Sequence, residues 1–415
     1  MRPFALALCV LALATAAFAQ QQPTRYRLER IVVEGSRIDD TIVRGEARLK
    51  EERMYTDADF HQAVYRIRRL PFVTDAVYRI EPGVTAGGTT LVIRILDVAP
   101  VFYELNGIGT RLADGETERD GSALLGARWQ LANLGVIEGA VEKNDFGEGI
   151  NVGLAYRAYD IMGTGGFASA AIAQRFKTEI RDYDPTFAVT LGYPLTQRQT
   201  VTLTAAQSGT SITRDFDVRG DDDDDDEDDA DRDDNIDLTD SDSLTFASLR
   251  WWYETIDDPF FATRGVQISG GPTWSQGELT FERYDVAEQD DTASTTLATE
   301  SYGLAFDASG YRRLFNRTVG FVRLSGNGTQ AQEEEQGETR SGVARAGLAF
   351  DFHSQADNVL RPFKARLEIG AAYRTSQFSR PGLPEVDVND TAAEAAFVMR
   401  HRWGTLRLTG TYVNE

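Results

Sequence analysis

The 415-residue sequence has one cysteine and three histidines. The cysteine, Cys9, sits inside the apolar stretch at the N-terminus, so the chain beyond that stretch has no thiol, no disulfide and no cysteine-based zinc site. His61, His353 and His401 are far apart, and none stands at a metal-ligand spacing. A Ser-His-Asp arrangement needs a histidine oriented by a third group. His353, in Phe352-His353-Ser354, reads instead as a strand-end residue, so no enzyme and no cofactor are expected. Gly163-Thr164-Gly165-Gly166 reads as a turn, since no strand and helix frame it as a phosphate cradle. No run of 18 apolar residues occurs, so no membrane-spanning helix is expected, and a chain that spans a membrane without one must do so as a closed barrel. A basic patch is missing too, which excludes nucleic acid as a partner.

What is present begins with a leader. Arg2 precedes a short apolar run from Phe4 to Phe18, and Ala17-Phe18-Ala19 has the small-x-small pattern of a cleavage site. Residues 1–19 are read as a signal peptide cut after Ala19. The net charge of −22 is concentrated: residues 215–242 carry 17 acidic residues against Arg219 and Arg232. Mutual repulsion and the scarcity of apolar residues predict a disordered acidic loop there. Its Asp231-x-Asp233-x-Asn235 spacing has the look of a calcium loop, but Ile236 stands where that loop needs glycine.

Residues 24–98 read as a compact α/β unit of order β-α-α-β-β. Leu28, Ile31 and Val33 mark a first strand ended by Gly35. Asp39-Asp40 opens a helix carrying Ile42, Val43 and Ala47. Thr56 with Asp59 three residues on forms an approximate capping box, and Phe60, Val64, Ile67 and Leu70 then share one helical face until Pro71. Residues 73–80 and 89–98 are the closing strands, joined across Pro82, Gly83, Gly87 and Gly88.

From residue 101 to 415 helical periodicity largely vanishes. Ala365, Leu367, Ile369, Ala371 and Tyr373 alternate with Lys364, Arg366, Glu368 and Arg374. Leu406, Leu408 and Tyr412 alternate with Arg407, Thr409 and Thr411, and Val152, Leu154 and Tyr156 with Asn151, Gly153 and Arg157. Charges at period two suit a sheet with one apolar and one wet face. With Arg323, these place Arg157, Lys364, Arg366 and Arg407 on the wet face. About fifteen such segments predict a mainly β protein with a transmembrane antiparallel barrel of roughly 14–16 strands, since a strand of about 9–11 residues crosses a bilayer. Aromatics near segment ends, such as Trp251-Trp252-Tyr253, fit interfacial girdles. The acidic loop would face outward, because bacterial barrels keep their long loops outside. The sequence ends Tyr412-Val413-Asn414-Glu415: either Tyr412 serves as a terminal aromatic, or a last strand lies beyond the sequence, toward which an odd strand count leans.

The α/β unit resembles a POTRA domain of the BamA/TamA outer-membrane assembly and translocation superfamily. The resemblance rests on Ile31-Val32-Val33-Glu34-Gly35, on Phe60 with Ala63-Val64-Tyr65, on Leu70-Pro71-Phe72, on Val77 and on Leu91-Val92-Ile93. One such unit is present. In the barrel, Asp257-Asp258-Pro259-Phe260-Phe261-Ala262-Thr263-Arg264-Gly265 resembles that superfamily's short mid-barrel linker, with Ala262 in place of the usual proline. As a turn, it would use Pro259 to break pairing and Gly265 to take positive φ. The superfamily's Arg-Gly-aromatic loop string is missing before the last four strands. Val218-Arg219-Gly220 lies too early and runs into Asp221, so Arg340, in Thr339-Arg340-Ser341-Gly342, is the inward-folding arginine the resemblance leaves.

The resemblance implies an outer-membrane location with the small domain in the periplasm, and a role in protein insertion or export. Unfolded outer-membrane or exported client proteins would add as a strand to an exposed sheet edge, either 73–80, with Val73, Val77, Tyr78 and Ile80, or 26–35. Membrane lipids, lipopolysaccharide and periplasmic or lipoprotein partners follow from the same resemblance. The competing expectation is a channel or structural surface protein that keeps the domain as a scaffold.

Overall fold

The structure, a computed structural model, describes residues 24–111, 117–131, 135–144, 150–176, 186–217, 235–285, 290–331, 338–353, 359–379 and 386–414. Residues 1–19, read above as a signal peptide, and most of the acidic segment, 218–234, lie outside them.

The N-terminal domain runs β1 (Arg25–Glu34), α1 (Asp40–Ala47), β2 (Arg53–Thr56), α2 (Asp57–Arg68), β3 (Val73–Pro82) and β4 (Gly88–Asp97). Local sequence sets the helix ends. The Asp39 carboxylate accepts the Thr41 N–H at 2.8 Å to cap α1. Thr56 and Asp59 form a complete capping box on α2, the hydroxyl accepting the Asp59 N–H and the carboxylate accepting the Thr56 N–H at 2.8 Å. Leu28, Ile42, Val43, Phe60, Ile67 and Leu91 are buried together, each side chain contributing about 1.5–3 kcal/mol of apolar transfer. The short β2 was not anticipated. It makes the sheet four-stranded, in the order β2-β1-β4-β3, with β1 parallel to β4 and the other pairs antiparallel. β1 is therefore flanked by β2 and β4, whereas β3 lies at the sheet edge.

The rest of the described chain is strand. β5 (Val101–Arg111), β6 (Thr117–Leu131), β7 (Gly135–Asn144), β8 (Ile150–Ala158), β9 (Phe167–Phe176), β10 (Thr186–Pro194), β11 (Gln199–Asp217) and β12 (Asn235–Glu254) are followed by β13 (Gly265–Asp285), β14 (Asp290–Phe315), β15 (Thr318–Ala331), β16 (Glu338–Asp351), β17 (Phe363–Ser379), β18 (Val386–His401) and β19 (Gly404–Asn414). They close a barrel of fifteen strands. Each pairs antiparallel with its neighbour in sequence, and β19 closes on β5 in parallel, from Gly404↔Tyr103 to Tyr412↔Arg111. The flanks of the acidic segment are less irregular than its composition predicts: β11 and β12 pair as far as Asp217↔Asn235.

The two faces are inverted relative to a water-soluble sheet. On β17 the apolar Ile369 and Tyr373 are 49% and 47% exposed, whereas Lys364 and Arg366 are 3% and 1% exposed. Leu125, Leu154, Leu191, Leu203, Leu304 and Leu408 also point outward. Arg323 pairs with Glu368 at 2.8 Å, and Arg345 and Arg374 reach Glu394 at 3.0 and 3.2 Å, so these inner-face charges are held in pairs. This is the pattern a hydrocarbon solvent outside and water inside would select. The domain sits at the end carrying the β10–β11 and β12–β13 connections. The far ends of β11 and β12, Asp217 and Asn235, lie at the opposite end.

Candidate functional site at the junction of domain and barrel

The connection between β12 and β13 is a ten-residue structure built by two adjacent carboxylates. Asp257 Oδ1 accepts the N–H groups of Thr263 and Arg264 at 2.8 and 3.2 Å, and its Oδ2 accepts the Thr263 hydroxyl at 2.6 Å. Asp258 Oδ1 accepts the N–H groups of Phe260 and Phe261, both at 3.0 Å. Pro259 starts the bend. Gly265 ends it at φ +99°, where a Cβ would meet the Thr255 carbonyl. Phe261 is buried; Arg366 donates to its carbonyl at 3.1 Å, and His353 packs edge-on to its ring at 5.3 Å. The Arg400 guanidinium lies 3.5 Å above the Phe260 ring. Arg264 stays largely exposed beside Asp257.

Against this connection lies β3. Asp75 is fully buried and is the hub. Its Oδ1 meets Lys364 Nζ at 2.9 Å and Arg68 Nε at 3.1 Å, and its Oδ2 accepts the Arg361 N–H at 2.9 Å. Lys364 Nζ also donates to Asp258 Oδ2 at 2.7 Å. One ammonium thus ties a strand of the domain to a connection of the barrel. Burial alone would raise the Asp258 carboxyl, but Lys364, Arg68 and the donated hydrogen bonds hold it well below the usual carboxylate range.

Further contacts run round the barrel mouth. Arg66 donates to the Gln197 carbonyl and side-chain oxygen, each at 2.5 Å. Arg69 meets Glu254 at 2.5 Å, Arg128 donates to the Pro71 carbonyl at 2.7 Å, and Arg400 to the Val73 carbonyl at 2.9 Å. Phe72 packs on Tyr159 with ring centroids 5.6 Å apart, and Tyr65 joins Ile256 and Ala262 in a small apolar cluster. The domain therefore spans the mouth rather than hanging from one side of it. Buried ion pairs add little net stability, because desolvation offsets attraction; they do make one docked geometry far better than its neighbours.

The structure brings together two groups of residues that the sequence places apart: Val73, Val77 and Tyr78 on β3, and Asp258, Pro259 and Phe260 on the β12–β13 connection. Val73, Val77 and Tyr78 are buried, and Ile80 is half-buried. The Val73 carbonyl is taken by Arg400 and the Ala76 carbonyl by Arg68. Only the end of β3 near Arg79 and Pro82 is exposed in this docked state. The alternative edge, 26–35, differs from expectation because β2 pairs with its first half. Arg340 lies within β16, paired with Gly328, and shares the outward parity of Leu348. It bridges to Glu338 at 2.9 Å and is no inward loop residue. The wet-face arginines Arg157, Arg323, Arg366 and Arg407 do lie inward, Arg407 Nε reaching Thr409 Oγ1 at 3.5 Å. Sequence reasoning missed Asp75, Arg68 and Gln197. The one available signal was a carboxylate set in the apolar strand Val73-Thr74-Asp75-Ala76-Val77.

Neither a protein-family model nor a curated protein matches the sequence. Among solved structures the chain is similar to BamA from Haemophilus ducreyi lacking POTRA domains 1–3, at 14% identity over 96% of this chain and 82% of that chain, with a TM-score of 0.42. It is similar to CdiB from Escherichia coli at 12% identity, over 94% and 73% of the two chains, with a TM-score of 0.48. To CdiB from Acinetobacter baumannii it is similar at 8% identity, over 90% and 70%, with a TM-score of 0.33.

Proposed function

We propose that the chain is an outer-membrane barrel that inserts or exports other proteins, with its N-terminal domain acting as a single POTRA-type receiver in the periplasm. The inverted barrel faces support the membrane setting. The observation that carries the functional reading is the placement of β3. An edge strand, competent in principle for strand addition, is held against the barrel mouth by a polar network that one ammonium completes. An unfolded outer-membrane or exported client would pair with β3 through Val73, Val77, Tyr78 and Ile80 once the domain swings out, and release of Asp258 would uncover the lumen at the same moment. Membrane lipids, lipopolysaccharide and periplasmic lipoproteins are the partners this reading brings with it. The test is reconstitution: liposomes holding the chain should speed the folding of a urea-unfolded barrel client over empty liposomes. Equal rates with and without the chain would overturn the reading.

A second reading, a channel that uses the domain as a plug, draws on the charged inner face. Steady ion conductance without any effect on client folding would favour it.

A further inference from the structure

Above the docked domain, on the side of the barrel opposite Lys364 in strand order, lies a cavity of about 330 Å³, within the range of small-molecule sites of roughly 300–1,000 Å³. Four guanidinium groups line it: Arg48, Arg66 and Arg69 from the domain and Arg157 from β8. Two carboxylates answer them, Glu46 beside Arg48 and Glu254 beside Arg69. Arg66 spends its donors on carbonyl and amide oxygens. Arg157 forms no ion pair among the described residues; it is stacked 4.1 Å from the Phe167 ring, and its Nε is buried without a hydrogen-bond partner. The Tyr159 hydroxyl, 94% shielded as a residue, is likewise buried and unpartnered, as is Arg48 Nε. A buried donor without a partner costs about 1–3 kcal/mol, so three of them round one cavity mark a place for an acceptor. The opposite wall offers hydroxyls: Thr190 and Thr204 meet at 3.1 Å, and Thr202 accepts from Trp252 Nε1 at 3.2 Å.

We propose that this cavity binds a phosphate group, free or as a monoester, held by Arg157, Arg48 and Tyr159, with the threonine wall facing the hydroxyls of an ester. The charge fits. Four guanidinium groups against two carboxylates leave two positive charges over, and a phosphate monoester at neutral pH carries about −1.5 to −2. The planar Arg fork matches phosphate oxygens, and a carboxylate would meet only half of the charge. Because the walls come from both the domain and the barrel, an occupant also bridges the two. This site is independent of the insertion or export reading and can stand or fall without it.

The experiment is calorimetric titration of the full chain, folded in neutral maltoside micelles, with inorganic phosphate, glucose 1-phosphate and, as a monoanionic control, acetate. Saturable one-to-one binding of the phosphates over acetate is expected. Equal affinity for the two phosphates assigns a free anion as the natural occupant, and tighter binding of the ester assigns a phosphosugar headgroup. Arg157→Gln should weaken binding at least about tenfold and the isosteric Tyr159→Phe about threefold, while Arg407→Gln, which does not line the cavity, leaves it unchanged. No saturable heat with either phosphate, equal affinity for acetate, or binding unaltered in both Arg157→Gln and Tyr159→Phe would overturn the proposal.

Discussion

At the scale of single residues, the junction depends on Lys364. Its ammonium is shared by two buried carboxylates, so Lys364→Met leaves Asp75 and Asp258 to share the single guanidinium of Arg68, one positive charge against two negative ones. Breaking a buried pair on one side costs about 3–5 kcal/mol, and the loss should fall on docking, since the barrel ladder does not involve Nζ. Limited proteolysis of the segment around Ala99 and Pro100 should quicken in the variant and slow again in the triple change with Asp75→Asn and Asp258→Asn. Asp258 also sets the pH response. Its folded-state pKa is depressed, so its contribution to docking is complete above the carboxyl's ordinary pKa of about 3.9. That contribution is lost as pH falls below this value toward the folded pKa. Docking followed by the same proteolysis should be constant from about pH 5 to 8 and should weaken progressively as the pH falls below about 4. Failure near neutral pH would contradict the assignment. The role of Asp75 was almost illegible in the sequence, because its three partners, Arg68, Arg361 and Lys364, come from segments up to 289 residues away.

At the scale of elements, what was local was legible. The capping box of α2 and the apolar faces of both helices follow from spacings of three and four residues, and the structure has them. The pairing of strands is not local. β2 is four residues with no apolar alternation, and only its register with β1, Arg25↔Thr56 to Leu28↔Arg53, makes it a strand. That same pairing decides which strand is the edge. Only the flanks of the acidic stretch differ from expectation, for a related reason: charge repulsion argued against order at Asp215 and Asp217, whereas the ladder from β11 to β12 supplies backbone partners regardless of side chain. The closing pair, β19 with β5, is the one parallel pair of the barrel, and parallel pairing is slightly weaker per residue. If clients enter the membrane through the barrel wall, this seam is where it parts. Leu105→Cys with Leu406→Cys, opposite each other in register, should therefore stop client folding when oxidised and restore it on reduction. Undiminished folding by the oxidised form would exclude passage at this seam.

At the scale of the whole molecule, the barrel was the most legible part, because alternation repeated along strand after strand is a global signal that no single misread segment can erase. The strand count fell within the expected range; the domain's position did not follow from any pattern, since it is fixed by side chains of the domain meeting the connections and strand ends of the barrel. With the mouth covered, the full chain in a planar bilayer should conduct poorly, and Lys364→Met should raise conductance severalfold by freeing the domain. Equal conductance would mean that the docked domain leaves the lumen open. Under the proposed function the chain handles other envelope proteins. The most direct measurement is the abundance of outer-membrane proteins after depletion of this chain in its own host. A broad fall in other barrels, or the loss of one exported client, is the expected result, and the second would identify the client. An envelope proteome unchanged apart from this chain would contradict the claim and leave the channel reading in its place.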